Sequence, residues 1–157
     1  MADVTFIGGG SFGTALSVML AKKGCMVNIW DRSEEVVLDI NEKRENIKYV
    51  HNVVIPSNVT AFSDLKDAIG NRKVVVLSIP SHAIREICTK IKKLIHKEAI
   101  IVNIAKGIEE GSSKRLSQVI EEEIPNNPIV ILSGPSHAEE VALDIPTTVV
   151  VSSKHMD

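Results

Sequence analysis

Gly8-Gly9-Gly10-Ser11-Phe12-Gly13 places glycines at 8, 10 and 13 in the spacing G-x-G-x-x-G. In that spacing the first glycine allows a tight turn, and the second lets the backbone approach a pyrophosphate with no side chain between them. The third lets a helix pack closely on a strand. Free N–H groups at the start of the helix then face the phosphates, helped by the helix dipole. No Gly-Lys-Ser/Thr follows, so the loop is not of the mononucleotide P-loop type. Asp31 lies eighteen residues after Gly13, near the position from which an acidic side chain accepts hydrogen bonds from a ribose, which favours NAD. Arg32 is next in the chain, and its guanidinium could pair with the 2′-phosphate of NADP. NAD and NADP both remain open at this point.

Three further segments carry reactive residue types, each directly after an apolar run. They are Ser78-Ile79-Pro80-Ser81-His82, Asn103-Ile104-Ala105-Lys106-Gly107-Ile108-Glu109 and Ser133-Gly134-Pro135-Ser136-His137-Ala138. Lys106 could hold an anionic substrate or orient a carbonyl, set against an ordinary exposed lysine. The Ser136 hydroxyl could bind a phosphate or merely cap the next helix. His82 and His137 each stand at a helix start, where a surface role is expected. The histidines at 51, 82, 96, 137 and 155 show neither H-E-x-x-H nor Cys/His spacing, so no metal site is expected. No G-x-S-x-G nucleophile elbow occurs.

These segments are positioned by a regular alternation. Val4–Ile7, Met26–Trp30, Val59–Ala61, Val74–Leu77, Ile100–Val102, Ile129–Leu132 and Thr148–Val151 read as strands. Helical spacing runs from Ser11 to Lys23, closed by Gly24. Ser33 before Glu34 and Glu35 reads as the cap of a second helix, and Ser63 to Ile69 as a third. Ile84, Ile87, Cys88, Ile91, Leu94 and Ile95 mark a further helical stripe. Leu116, Val119, Ile120 and Ile124 mark another, and Ser136–Leu143 a short helix; 46–58 is irregular and carries Tyr49. Unbroken Val/Ile strands alternating with helices predict a doubly wound (Rossmann) α/β fold. The expectation is a parallel sheet with helices on both faces, forming one dinucleotide-binding domain over residues 1–157. Ligands of such sheets bind at the carboxyl ends of the strands, so the loops above should line one crevice.

Composition limits the partners. Eighteen basic against twenty acidic residues give a net charge of −2, which does not ask for nucleic acid. The apolar runs are far too short for membrane insertion. Met1-Ala2-Asp3-Val4 lacks the basic start of a secretory signal. Cys25 and Cys88 read as two buried thiols in a reducing cytoplasm rather than a disulfide framework.

Gly8 to Leu16, Ala105-Lys106-Gly107-Ile108-Glu109 and Ser133-Gly134-Pro135-Ser136-His137-Ala138 together resemble bacterial-type NAD(P)-dependent glycerol-3-phosphate dehydrogenase, from Val4 to about Ser152. The resemblance implies reversible hydride transfer between NAD(P)H and dihydroxyacetone phosphate, giving sn-glycerol 3-phosphate for phospholipid synthesis. It implies cofactor contacts from Ser11, Phe12, Arg32 and Tyr49, and from Ala138 beside the nicotinamide. Lys106 would touch cofactor and substrate, while Gly134 and Ser136 would line the substrate site. Lys48-Tyr49-Val50-His51-Asn52 departs from the family's usual Tyr-Leu-Pro-Gly, and Phe12 stands where a Trp is common. The family's second, helical domain carries the acid–base lysine. With no counterpart of that domain in the sequence, this chain is expected to bind nucleotide with little or no turnover and to be prone to self-association. A dehydrogenase of the hydroxyacyl-CoA or ketopantoate type, and a nucleotide-sensing module without chemistry, are the alternatives.

Overall fold

Short runs of β-branched and aromatic residues alternate with helices throughout the computed structural model, which describes residues 3–155. The strands and helices in chain order are β1 (Val4–Ile7), α1 (Ser11–Lys22), β2 (Val27–Trp30), α2 (Glu34–Leu38), β3 (Val59–Phe62) and α3 (Leu65–Ile69). They continue with β4 (Val74–Leu77), α4 (Ile84–Ile91), β5 (Ile100–Asn103), α5 (Leu116–Glu123), β6 (Ile129–Ser133), α6 (Ala138–Ala142) and β7 (Val150–Ser153). A π-helical turn over Asp39–Lys43 prolongs α2. None of the described helices is long and apolar enough to cross a membrane.

The seven strands lie in the order β3-β2-β1-β4-β5-β6-β7. β1 to β6 run parallel, as the uninterrupted apolar strands predict. The register aligns Ile7 with both Trp30 and Leu77, and Leu77 with Asn103. The strands therefore end level, and their loops emerge along one edge. Strand order reverses between β1 and β4, the point at which open α/β sheets form their ligand crevice.

Each sheet face has its own core. On one, Ile84, Ile87, Cys88 and Ile91 of α4 pack with Leu116, Val119 and Ile120 of α5 over Val75, Leu77 and Ile101. On the other, Val18 and Ala21 of α1 pack with Val36 and Ile40 over Phe6, Ile29 and Val76. Burying one Ile or Leu side chain contributes about 1.5–3 kcal/mol, which fixes both layers firmly.

Five expectations are corrected. β7 is displaced to Val150–Ser153 and pairs antiparallel with β6. The helix between them is short: α6 has five residues, about 7.5 Å at 1.5 Å per residue, too little to carry the chain back along β6 for a parallel return. The chain packs α6 against α1 and re-enters the sheet from the carboxyl edge. Asp64, not Ser63, begins α3, its Oδ1 accepting the Lys66 and Asp67 N–H groups at 2.8 and 3.0 Å. Ser33 occupies the cap position of α2 without a side-chain cap bond. Cys25 is only half-buried, whereas Cys88 is buried; both thiols are free. The outer sheet edge is also less covered than an all-buried strand pattern implies, with Val150 and Val151 each more than 60% exposed.

Candidate functional site

The glycine turn follows β1 directly. Gly8 donates its N–H to the Trp30 carbonyl at 2.8 Å, extending the sheet by one rung. Its φ of +115° and a Cβ position 2.7 Å from the Ser78 carbonyl oxygen leave no room for a side chain. Gly13 lies in the first turn of α1, on its buried side, where a Cβ would sit 2.6 Å from the Gly8 oxygen. Gly10 differs from both: nothing lies within 4 Å of its Cβ position. It caps α1 in extended conformation, and no side chain satisfies the first-turn N–H groups. The arrangement is a closed floor with one open face at the positive end of a twelve-residue helix, suited to an anion.

The Gly9 peptide is held from both sides. Its N–H donates to Asp31 Oδ2 at 2.9 Å. Its carbonyl accepts from Asn46 Nδ2 at 2.8 Å and Thr14 Oγ1 at 3.0 Å. Asp31 Oδ1 accepts the Ser33 N–H, also at 2.9 Å. Across the switch point the Ser78 hydroxyl reaches the Gly8 oxygen at 2.7 Å and the Ile7 oxygen at 3.1 Å, joining the ends of β1 and β4.

A cleft of about 710 Å3 opens along this edge, within the range of small-molecule sites. Gly8, Gly10, Phe12, Asp31, Arg32, Tyr49, Lys106, Ser136 and Ala138 all line it, so the structure brings together residues drawn from five separate segments. Ser11, Gly13 and Gly134 do not line it. Gly13 is consumed by helix packing, and Gly134 (φ +147°) by the close approach of the Thr148 carbonyl, 2.8 Å from its Cβ position. Arg32 and Lys106 are exposed and Tyr49 half-buried. His82 and His137 both border the cleft.

Lys106 joins two of the predicted segments, its Nζ donating to the Ser136 carbonyl at 3.4 Å. It also forms part of a second cavity, of about 590 Å3, over the Ile129 and Ile131 face of β6. The loop behind it is anchored by charge. Arg85 of α4 makes a two-pronged pair with Glu109 at 2.6 and 2.8 Å and further bonds to Glu122 and Glu123 of α5. The guanidinium holds the Glu109 carboxyl at about 2, well below the usual carboxylate value.

Sequence reasoning missed Asn46, 1% exposed within the irregular segment. It also missed the apolar floor of Ile79 and Ile104 and the role of Arg85. An amide in a stretch without periodicity gives no signal, whereas Arg85, next to Ile84 and one turn before Cys88 on a recognised helix, could be found by asking what pairs with Glu109.

Comparison with known proteins bears on this geometry. The family model described as NAD-dependent glycerol-3-phosphate dehydrogenase N-terminus matches residues 3–157. Glycerol-3-phosphate dehydrogenase [NAD(P)+] of Clostridium tetani is 68% identical over 151 residues, covering 96% of this chain and 43% of that protein. The Clostridium perfringens protein of the same name is 55% identical over 157 residues, covering 100% of this chain and 47% of its own. The crystal structure of glycerol-3-phosphate dehydrogenase from Coxiella burnetii superposes with a TM-score of 0.93 at 33% identity, over 98% of this chain and 47% of that one. The chain thus spans about half the length of the curated relatives it matches. With the glycine turn, the level strand ends and the match all in agreement, the chain belongs to the NAD-dependent glycerol-3-phosphate dehydrogenase family, as its N-terminal, NAD-binding domain.

Proposed function

We propose that the cleft holds NAD or NADP for hydride transfer between the nicotinamide and dihydroxyacetone phosphate, giving glycerol 3-phosphate. The observation that carries this reading is the open Gly10 face at the uncapped start of α1, with Asp31 and Arg32 on the same cleft wall. The residues fit a dinucleotide: a pyrophosphate meets the free N–H groups at the start of α1 beside Gly10 and Phe12, and no side chain at Gly10 blocks its approach. The bound nicotinamide supplies the hydride chemistry, and the protein supplies orientation and charge.

In this reading Phe12 and Tyr49 pack against the cofactor, and Arg32 faces the adenosine ribose, where its guanidinium can hold a 2′-phosphate. Lys106 stands between cofactor and substrate, where a positive charge stabilises phosphate or a developing alkoxide. The Ser136 hydroxyl and the Gly134 turn shape the substrate end, with Ala138 beside the nicotinamide. We place the reaction in the cytoplasm, where the free thiols of Cys25 and Cys88 remain reduced.

Trp30, the single tryptophan, lines the cleft, so the test is energy transfer from it to bound NADH and NADPH. Saturable transfer, abolished by excess NAD, is expected. Absence of transfer together with absence of binding heat would overturn the reading.

A further inference from the structure

We infer that Asp31 and Asn46 are positioning residues of the glycine turn, and that the Asp31 carboxylate does not decide between NAD and NADP. The inference rests on the dinucleotide reading above and concerns a feature that the glycine spacing leaves unexplained, the middle glycine of the Gly8-Gly9-Gly10 run. A Cβ on Gly9 would stand 3.0 Å from Asp31 Oδ2 and 3.3 Å from Val36 Cγ1. Both approaches are closer than ordinary van der Waals contact, so a side chain at position 9 would push the carboxylate back by a few tenths of an ångström from the Gly9 N–H it accepts at 2.9 Å.

The two oxygens of Asp31 serve different elements. Oδ2 takes the Gly9 N–H and Oδ1 the Ser33 N–H, each at 2.9 Å. Both are charge-assisted bonds to main chain, among the stronger kinds, and they tie the turn after β1 to the first turn of α2. Opposite them, Asn46 Nδ2 donates to the Gly9 carbonyl at 2.8 Å and approaches Thr14 Oγ1 at 2.9 Å. The two peptide planes on either side of the Gly9 Cα are therefore held by side chains from β2's end, from α1 and from the segment after α2. The second of them carries the Gly10 N–H, at the open face of the turn. A carboxylate oriented in this way is already fixed by the main chain before a ribose arrives, and its loss disturbs the phosphate-binding turn that NAD and NADP share.

The test compares wild type with Asp31→Ala, Asp31→Asn and Asn46→Ala. Without ligand, hydrogen exchange is followed at the Gly9 amide, with Val75 in β4 as the reference for an intact fold. Loss of the acceptor in Asp31→Ala should speed Gly9 exchange by about tenfold relative to Val75. Asp31→Asn retains one acceptor oxygen and should fall between, which keeps the comparison usable if Asp31→Ala unfolds. With ligand, both Asp31 variants should weaken NADH and NADPH together, their affinity ratio staying within about threefold of wild type. Unchanged Gly9 exchange, or a ratio moved beyond threefold towards NADPH, would overturn the inference. If wild type binds neither cofactor, the dinucleotide reading fails, while the exchange measurement still decides whether the clamp exists.

Discussion

The three motif glycines separate folding from binding, and two single substitutions expose the difference. Gly13→Ala puts a methyl group 2.6 Å from the Gly8 carbonyl oxygen and 2.6 Å from Ser78 Oγ. A backbone oxygen cannot swing aside, so α1 must lift from β1. Overpacking at the upper end of its range costs about 3 kcal/mol, and the better helix propensity of alanine returns about 1 kcal/mol. The net loss of about 2 kcal/mol corresponds to roughly 4–8 °C in Tm for a domain of this size. Gly10→Ala meets nothing within 4 Å and has a φ of −70°, open to any residue. Restricting the unfolded chain gains about 0.4–1 kcal/mol, and replacing glycine by alanine at a helix cap loses a similar amount, roughly 0.5–1 kcal/mol. Stability should therefore stay within about 2 °C of wild type. The added methyl lies where the pyrophosphate must approach, and crowding there should weaken NADH about tenfold to a hundredfold. Thermal unfolding by circular dichroism and Trp30 energy-transfer titration measure the two effects on the same samples. A Gly10→Ala variant binding NADH as wild type would refute the phosphate path, and a Gly13→Ala variant with unchanged Tm would refute the packing argument.

Arg32→Ala should weaken NADPH by about tenfold or more while leaving NADH within about twofold, since only the 2′-phosphate offers a guanidinium two charge-assisted bonds; parallel titrations decide it, and equal losses would count against this role. The Glu109 carboxyl, held at about 2 by Arg85 against an ordinary 4.5, stabilises the fold fully above pH 4.5. That contribution is lost as the pH falls from there through 2. Tm measured from pH 5 to 2 should consequently fall less steeply for Glu109→Gln, and identical slopes would mean that the ion cluster is energetically silent. Val150 and Val151 of the edge strand β7 are 62% and 61% exposed, apolar surface that favours self-association. Val151→Lys should shift sedimentation towards monomer at a given concentration; an unchanged profile would place any contact elsewhere.

The legible part of the fold was the part in which local chemistry and tertiary role coincide. Val74–Leu77 could only be a strand covered on both sides, and Ile84, Ile87, Cys88 and Ile91 only one face of a helix. The glycine turn was legible for the same reason, because each glycine answers a separate steric demand. The direction of β7 was not, since alternation of residue types is the same whichever way a strand runs. Its register slipped by two because Thr148-Val149 has the same strand preference as Val150-Val151, and pairing with Leu132 and Ser133 chooses between them. At the site, Asp31 was found by its spacing, but its two main-chain bonds depend on where α2 begins. Asn46 was invisible because what makes it matter is a carbonyl 37 positions away in the chain.

The Ser78 hydroxyl has a mechanical consequence. Open sheets of this kind are weakest where the helices diverge to opposite faces, and a crevice there could work as a hinge between two half-domains. In this chain, β1 and β4 pair in register along Val4–Ile7, and Ser78 adds two contacts just past the last rung. The seam is sewn at the place where it would otherwise gape. The two halves are thus tied together at the mouth of the crevice itself, where a hinge would need them to part.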